Sequence, residues 1–155
     1  INMLAKDVMQ RQVYTVLVDT PIKDIAALML QHNISGLPVV NDFNTVLGVV
    51  SELDLMRKEI RPNEPNLWQM CLYGITNGHK IQEHQDALRK CMANKAEDIM
   101  TSPAITVDEM DDLETVGKLM FEKKIKRVFV TRKGTLVGVI SRSAFTKLLL
   151  DGSNV

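Results

Sequence analysis

The chain has 155 residues, 45% of them hydrophobic, enough for the core of one ordinary domain or of two small halves that share one. Nineteen Lys and Arg balance nineteen Asp and Glu, so no global field draws the protein to nucleic acid or to an anionic membrane, and any anion recognition has to be local. Apolar runs fall far short of the roughly 20 residues of a membrane span, and no basic flank precedes a long apolar stretch at the N-terminus, which predicts a soluble, cytoplasmic protein without membrane insertion.

In chain order, Lys6-Asp7-Val8-Met9 leads to an extended piece over Val13 to Val18. A helix is predicted from Pro21 to His32, with Pro21 suited to a first turn whose amide hydrogens lack partners, and with Ile22, Ile25, Leu28 and Met29 on one face. Two strands follow, Leu37 to Val40 and Val46 to Val50, joined by a turn rich in Asn and Asp. A second helix opens at Ser51.

The stretch from Glu59 to Asn94 interrupts this pattern. Pro62 and Pro65 break the chain, and Asn66 can cap a helix through Leu67, Trp68, Met70, Cys71, Leu72 and Ile75. Thr76-Asn77-Gly78 turns it into a second amphipathic helix, Lys80 to Ala93. Both cysteines, Cys71 and Cys91, lie here without a Cys-x-x-Cys pair. They predict reduced thiols, and with His79 and His84 they match no zinc spacing, so no metal is expected.

From residue 95 the chain repeats itself. A shift of 91 pairs Asp7-Val8-Met9 with Asp98-Ile99-Met100, Thr15-Val16 with Thr106-Val107, Ile25 with Val116, Met29 with Met120 and Val39 with Val130. The turn Arg132 to Thr135 is one residue shorter than its counterpart, so Gly48 then pairs with Gly138 and Ser51 with Ser141. A length change confined to a turn is what a structural repeat tolerates. The second copy predicts an extended piece over Ala104 to Val107, a helix over Asp112 to Lys124, strands over Arg127 to Thr131 and Leu136 to Ile140, and a helix from Ser141.

The copies differ where chemistry is concentrated. The first closes Gly48-Val49-Val50-Ser51-Glu52-Leu53-Asp54; the second closes Gly138-Val139-Ile140-Ser141-Arg142-Ser143-Ala144. A hydroxyl followed three residues on by a carboxylate can hold a polyol, and it can equally be a helix cap with its first-turn acid. No Ser-His-Asp order, Gly-rich phosphate loop or paired-carboxylate site emerges, so no catalytic residue is assigned.

Taken together, the Asp-hydrophobe-Met openings, the Thr-Val strands, Ile34-Ser35-Gly36-Leu37-Pro38-Val39-Val40 and the Gly-Val-Val-Ser-x-x-Asp close resemble a pair of cystathionine β-synthase (CBS) domains, a Bateman module. The resemblance implies an α+β fold of two pseudo-symmetric β-α-β-β-α repeats, residues 1–58 and 95–155, packed sheet to sheet with the helical insert 59–94 between them. It implies no enzyme but a regulatory site for one adenine nucleotide (AMP, ADP or ATP) or S-adenosylmethionine, with Asp54 on the ribose beside Ser51. Val49, Leu53, Ala104, Ile105 and Ile125 would line the same site, and Lys126 and Arg127 would meet phosphates. A second, weaker cleft would use Tyr14, Thr15, Ser35, Gly36 and Ser141, without a carboxylate at Ala144. A homodimer acting on an output domain or partner protein is expected, and a chain that opens at Ile1 fits a piece of something larger. The competing reading is a ligand-free dimerisation or docking module built on the insert.

Overall fold

Each half of the chain lays down the same succession of elements. The computed structural model describes residues 3–57 and 94–152. The first half contains α1 (Ala5–Val8), β1 (Val16–Leu17), α2 (Ile22–His32), β2 (Gly36–Val40), β3 (Val46–Ser51) and α3 (Glu52–Arg57). The second contains α4 (Ala96–Ile99), β4 (Thr106–Asp108), α5 (Leu113–Lys123), β5 (Arg127–Arg132), β6 (Thr135–Ser141) and α6 (Arg142–Gly152). The strands form two three-stranded sheets, ordered β1-β2-β3 and β4-β5-β6. The fold is α+β, as predicted, with the single turns α1 and α4 added ahead of the expected elements. The predicted helices of the insert, with Trp68 and both cysteines, lie outside the described residues.

Periodicity explains the helices. In α2 the apolar positions Ile22, Ile25 and Met29 are buried, and in α5 so are their counterparts Leu113, Val116 and Met120, the single covered stripe expected of a helix resting on a sheet. Both helices stop in a left-handed residue, Asn33 at φ 50 and Lys124 at φ 54, whose turn satisfies terminal carbonyls. Pro21 is not in the first helical turn: its ψ of 147 is extended, so it is the N-cap and the helix starts at Ile22. Asp112 holds the same place in α5 and its side chain accepts from the Glu114 amide at 3.2 Å. Likewise Ser51 and Ser141 end strands, and α3 and α6 begin one residue later, at Glu52 and Arg142.

In both sheets the first strand runs parallel to the second, with Val16 opposite Val39 and Val107 opposite Val130, which is why a crossover helix must separate them. The β5-β6 hairpin closes through Lys133 and Gly134, at φ 49 and φ 82; two positive φ values are the requirement of a type I′ turn.

The described residues group in space into two compact units. One holds β4-β5-β6 and consists of residues 3–14, 43–46 and 105–152; the other holds β1-β2 with most of β3 and consists of residues 15–42, 47–57 and 94–104. We call them the second-repeat and first-repeat units. The opening segment of each repeat thus belongs with the body of the other. In the second-repeat unit the amides of Ala5 and Lys6 donate to the carbonyls of Asp111 and Glu109 at 2.8 and 3.0 Å, and Gln10 and Val139 exchange two bonds of 2.9 Å. In the first-repeat unit Ala96 and Glu97 donate to Thr20 and Val18 at 2.8 and 3.0 Å, and Thr101 and Val49 exchange bonds of 2.9 and 3.0 Å. Glycine permits both exchanges: a Cβ on Gly48 would stand 2.8 Å from the Thr101 carbonyl oxygen, and one on Gly138 would stand 2.9 Å from that of Gln10.

The second-repeat core gathers Ala5 and Met9 with Val107, Val116, Met120, Val128, Val130 and Ile140. At its rim the largely buried Glu109 carboxylate receives a two-pronged bond from Arg132, Nη2 to Oε2 at 2.9 Å together with Nε to Oε1. The Arg132 hydrogen bonds hold the Glu109 carboxyl below its usual value of 4.5, against the upward push of burial. A carboxyl depressed in the folded state adds stability that is complete above its unfolded value and is lost as pH falls through its lower folded value. Acid titration of unfolding should show this loss below about pH 4.5, the unperturbed carboxyl value, and Glu109→Gln should flatten that limb of the profile. An unchanged profile in the variant would show that the pair is not coupled to folding.

Candidate functional site

The Gly48 to Asp54 segment turns from strand to helix, and the turn decides where the carboxylate goes. With Ser51 as cap, Asp54 is the third residue of the turn, and at that spacing its side chain folds back on the cap. The Ser51 amide donates to Asp54 Oδ2 at 2.8 Å, and the Ser51 hydroxyl donates to the same oxygen at 3.1 Å while facing the Asp54 amide at 3.3 Å. A third donor comes from far along the chain: Thr101 Oγ1 donates to Asp54 Oδ1 at 3.1 Å. The Val49-Thr101 backbone exchange sets that hydroxyl in place, and Ser102 reinforces it by donating to the Leu47 carbonyl at 2.9 Å.

Two other aspartates share the capping geometry and lack the rest. Asp7 accepts from the Leu4 amide at 2.8 Å and Asp98 from the Lys95 amide at 2.9 Å, with no hydroxyl at the cap position. Asp54 differs in being half-buried and in gathering two hydroxyl donors in addition to an amide. A carboxylate offers about four lone-pair sites. Among the described residues three are taken, which leaves one on Oδ1, and Thr101 can yield a second to an incoming hydroxyl.

The structure gathers Val49, Ser51, Leu53, Asp54 and Ala104 in the first-repeat unit, with Leu53 and Ala104 exposed and half-buried respectively. Thr15, Ser35 and Gly36 belong to the same unit, where the Ser35 carbonyl accepts from the Glu52 amide at 3.0 Å. Tyr14, Ile105, Ile125, Lys126, Arg127 and Ser141 belong to the second-repeat unit. There Arg127 opens β5 opposite Ser141, the exposed Lys126 offers its carbonyl to the Arg142 amide at 3.0 Å, and the Ile125 carbonyl accepts from Arg142 Nε at 3.2 Å. Thr101 was not anticipated. The sequence presents it as the entry to a strand; the one signal for it is that both copies place a polar residue, Gln10 or Thr101, directly after the Asp-hydrophobe-Met opening.

The second-repeat unit repeats this construction without its acid. Gln10 bridges Val139 as Thr101 bridges Val49, Ala144 stands at the position of Asp54, and Ser141 Oγ lies 2.7 Å from Ser143 Oγ. A cavity of about 190 Å³ opens there.

A sequence model of the CBS domain matches residues 5–61 and 96–151. An uncharacterized protein of Methanocaldococcus jannaschii is 28% identical over 96% of this chain and 92% of its own length. The chloroplastic CBS domain-containing protein CBSX2 of Arabidopsis thaliana is 26% identical over 92% of this chain, which spans 60% of that protein. Among solved structures, CBSX2 in complex with AMP superposes with a TM-score of 0.70 at 24% identity, covering 96% of this chain and 97% of that one. A CBS domain pair in complex with 5-methylthioadenosine and S-adenosylmethionine gives 0.68 at 19%, covering 98% and 99%. These two structures share the fold.

Because Asp54 closes the cap as well as shaping the candidate site, its removal is felt without any ligand. Asp54→Ala should cost about 1–3 kcal/mol in urea unfolding, since two hydroxyls and an amide lose their acceptor. Asp54→Asn, which keeps an acceptor oxygen, should cost less; equal stability of all three proteins would contradict the bonding described.

Proposed function

From a chain that belongs to the CBS domain family and carries the domain twice, we propose a regulatory module that binds one adenosine-containing nucleotide, AMP, ADP, ATP or S-adenosylmethionine, at Asp54. The observation that carries the proposal is the held carboxylate. Its oxygens are fixed by Ser51 and Thr101, and an ionised acid so placed accepts from the adjacent hydroxyls of a ribose at little cost in side-chain ordering. The adenosine class is supported by the relatives crystallised with AMP and with S-adenosylmethionine.

In this reading Ser51 and Thr101 position the acid, Val49, Leu53, Ala104, Ile105 and Ile125 supply apolar surface for the base, and Lys126 and Arg127 supply charge for phosphates, Arg127 through a planar fork suited to them. Chemistry on the nucleotide is not part of it. The ligand acts by population shift, favouring the arrangement of the chain to which it binds best, and an output domain or partner protein reads the change. The module works as a homodimer. Support for that comes from α2 and α5, where Leu30 and Phe121 occupy equivalent repeat positions and are 86% and 85% exposed, large apolar groups without cover in their own units.

Calorimetric titration with the four nucleotides tests the ligand. At least one should bind, Asp54→Ala should weaken it roughly ten- to a hundredfold, and Arg127→Ala should weaken phosphate-bearing ligands more than S-adenosylmethionine. Absence of heat with all four, or affinity indifferent to Asp54→Ala, would sink the reading. Sedimentation equilibrium tests the assembly: the unaltered chain should be a dimer, and Leu30→Glu with Phe121→Glu should give a monomer. A dimer that survives both changes would place its interface elsewhere.

A further inference from the structure

We propose that Met100 is an oxidation site through which peroxide loosens the Asp54 carboxylate and so weakens ligand binding in the first-repeat unit. For its output this rests on the nucleotide reading of Asp54; the chemistry at sulfur does not.

The methionine that ends each Asp-hydrophobe-Met opening lies against the glycine beside its bridge. A Cβ on Gly48 would stand 2.9 Å from Met100 Sδ, and one on Gly138 would stand 2.5 Å from Met9 Sδ. The thioether therefore occupies the space that the missing side chain leaves, next to the carbonyl that closes the bridge. The two copies differ in access. Met9 is 8% exposed and belongs to the second-repeat core, whereas Met100 is half-buried. Met29 and Met120 are buried too, while Met3 and Met110 are exposed and belong to the second-repeat unit. Met100 thus combines access with contact to the frame that holds Asp54.

Hydrogen peroxide supplies the oxygen. The sulfur lone pair attacks one peroxide oxygen, an S–O bond forms and the O–O bond breaks; the proton of the transferred hydroxyl leaves with the departing hydroxide as water. Sulfur loses two electrons and the peroxide gains them. The product exchanges a soft apolar group for a polar sulfoxide whose oxygen needs a donor. The main-chain donors at this point are committed: the amides of Val49, Met100 and Thr101 donate to the carbonyls of Thr101, Ala96 and Val49 at 3.0, 2.8 and 2.9 Å. Burying an acceptor without a donor is costly, so the oxidised side chain turns to water and leaves Gly48. Thr101 is the next residue, and its displacement opens the bridge to Val49 and draws its hydroxyl from Asp54 Oδ1.

Peroxide treatment of the whole chain, followed by peptide mass spectrometry and amide hydrogen exchange, provides the test. Met100 should gain one oxygen after Met110 and before the buried Met9. The Val49 and Thr101 amides should then exchange about tenfold faster, those of Gln10 and Val139 should not change, and methionine sulfoxide reductases should reverse the effect. Met100→Leu should abolish the response to peroxide, and Met110→Leu should keep it. Where calorimetry gives an affinity for a nucleotide, oxidation should lower it about tenfold, the worth of one hydroxyl on a charged acceptor. An unoxidised Met100, unaltered exchange at Val49 and Thr101 in the oxidised chain, a response that persists in Met100→Leu, or an affinity indifferent to oxidation would overturn the switch. The exchange readout needs no nucleotide, so a chain that binds none of the four fails the reading of Asp54 and is told apart from one whose methionine does not respond.

Discussion

Two backbone bridges, Val49 with Thr101 and Val139 with Gln10, are the constraint on which both sites depend. Each is a closed pair of N–H to carbonyl bonds between a strand and a segment from the other repeat, and each requires a glycine one residue before the bridged valine, because a Cβ there would overlap a carbonyl oxygen. The bridge fixes which residue faces the start of the following helix. One frame, built twice, therefore presents different side chains: Thr101 beside an acid in one unit, Gln10 beside an alanine in the other.

Stability and recognition draw on the same atoms at Asp54. A first-turn aspartate is enough to complete a cap, as Asp7 and Asp98 show with a single backbone donor each. The additional hydroxyls of Ser51 and Thr101 do more than a cap requires. They hold both oxygens in one orientation, which lowers the ordering cost of any partner that meets them. Where the acid is absent, the matching serine turns to a neighbouring serine instead and a cavity remains. The same strand order thus carries an acid at this turn in one unit and an alanine in the other.

Much of the fold was legible because duplication made each element visible twice. The buried stripes of α2 and α5 and the two hairpins follow from periodicity and turn chemistry that either copy alone would have shown weakly. Helix starts were misplaced by one residue at Pro21, Ser51, Asp112 and Ser141, since a residue suited to the first turn is equally suited to the cap and only ψ separates them. The four-residue turns α1 and α4 are too short to display a period. Asp54 was found from its neighbours in sequence, whereas Thr101 was not, because its role comes from a side-chain bond to an acid 47 residues away that no local pattern encodes.

The grouping of each opening segment with the opposite body has a consequence for ancestry and for breakage. A chain holding a single repeat would possess a body whose edge lacked its covering segment and a segment without a body, so two such chains would complete each other reciprocally, as in domain swapping. Fusing them turns that exchange into an intramolecular event at high effective concentration. By the same logic, a cut in the chain between the repeats yields complementary fragments that still need one another, not a pair of self-sufficient domains.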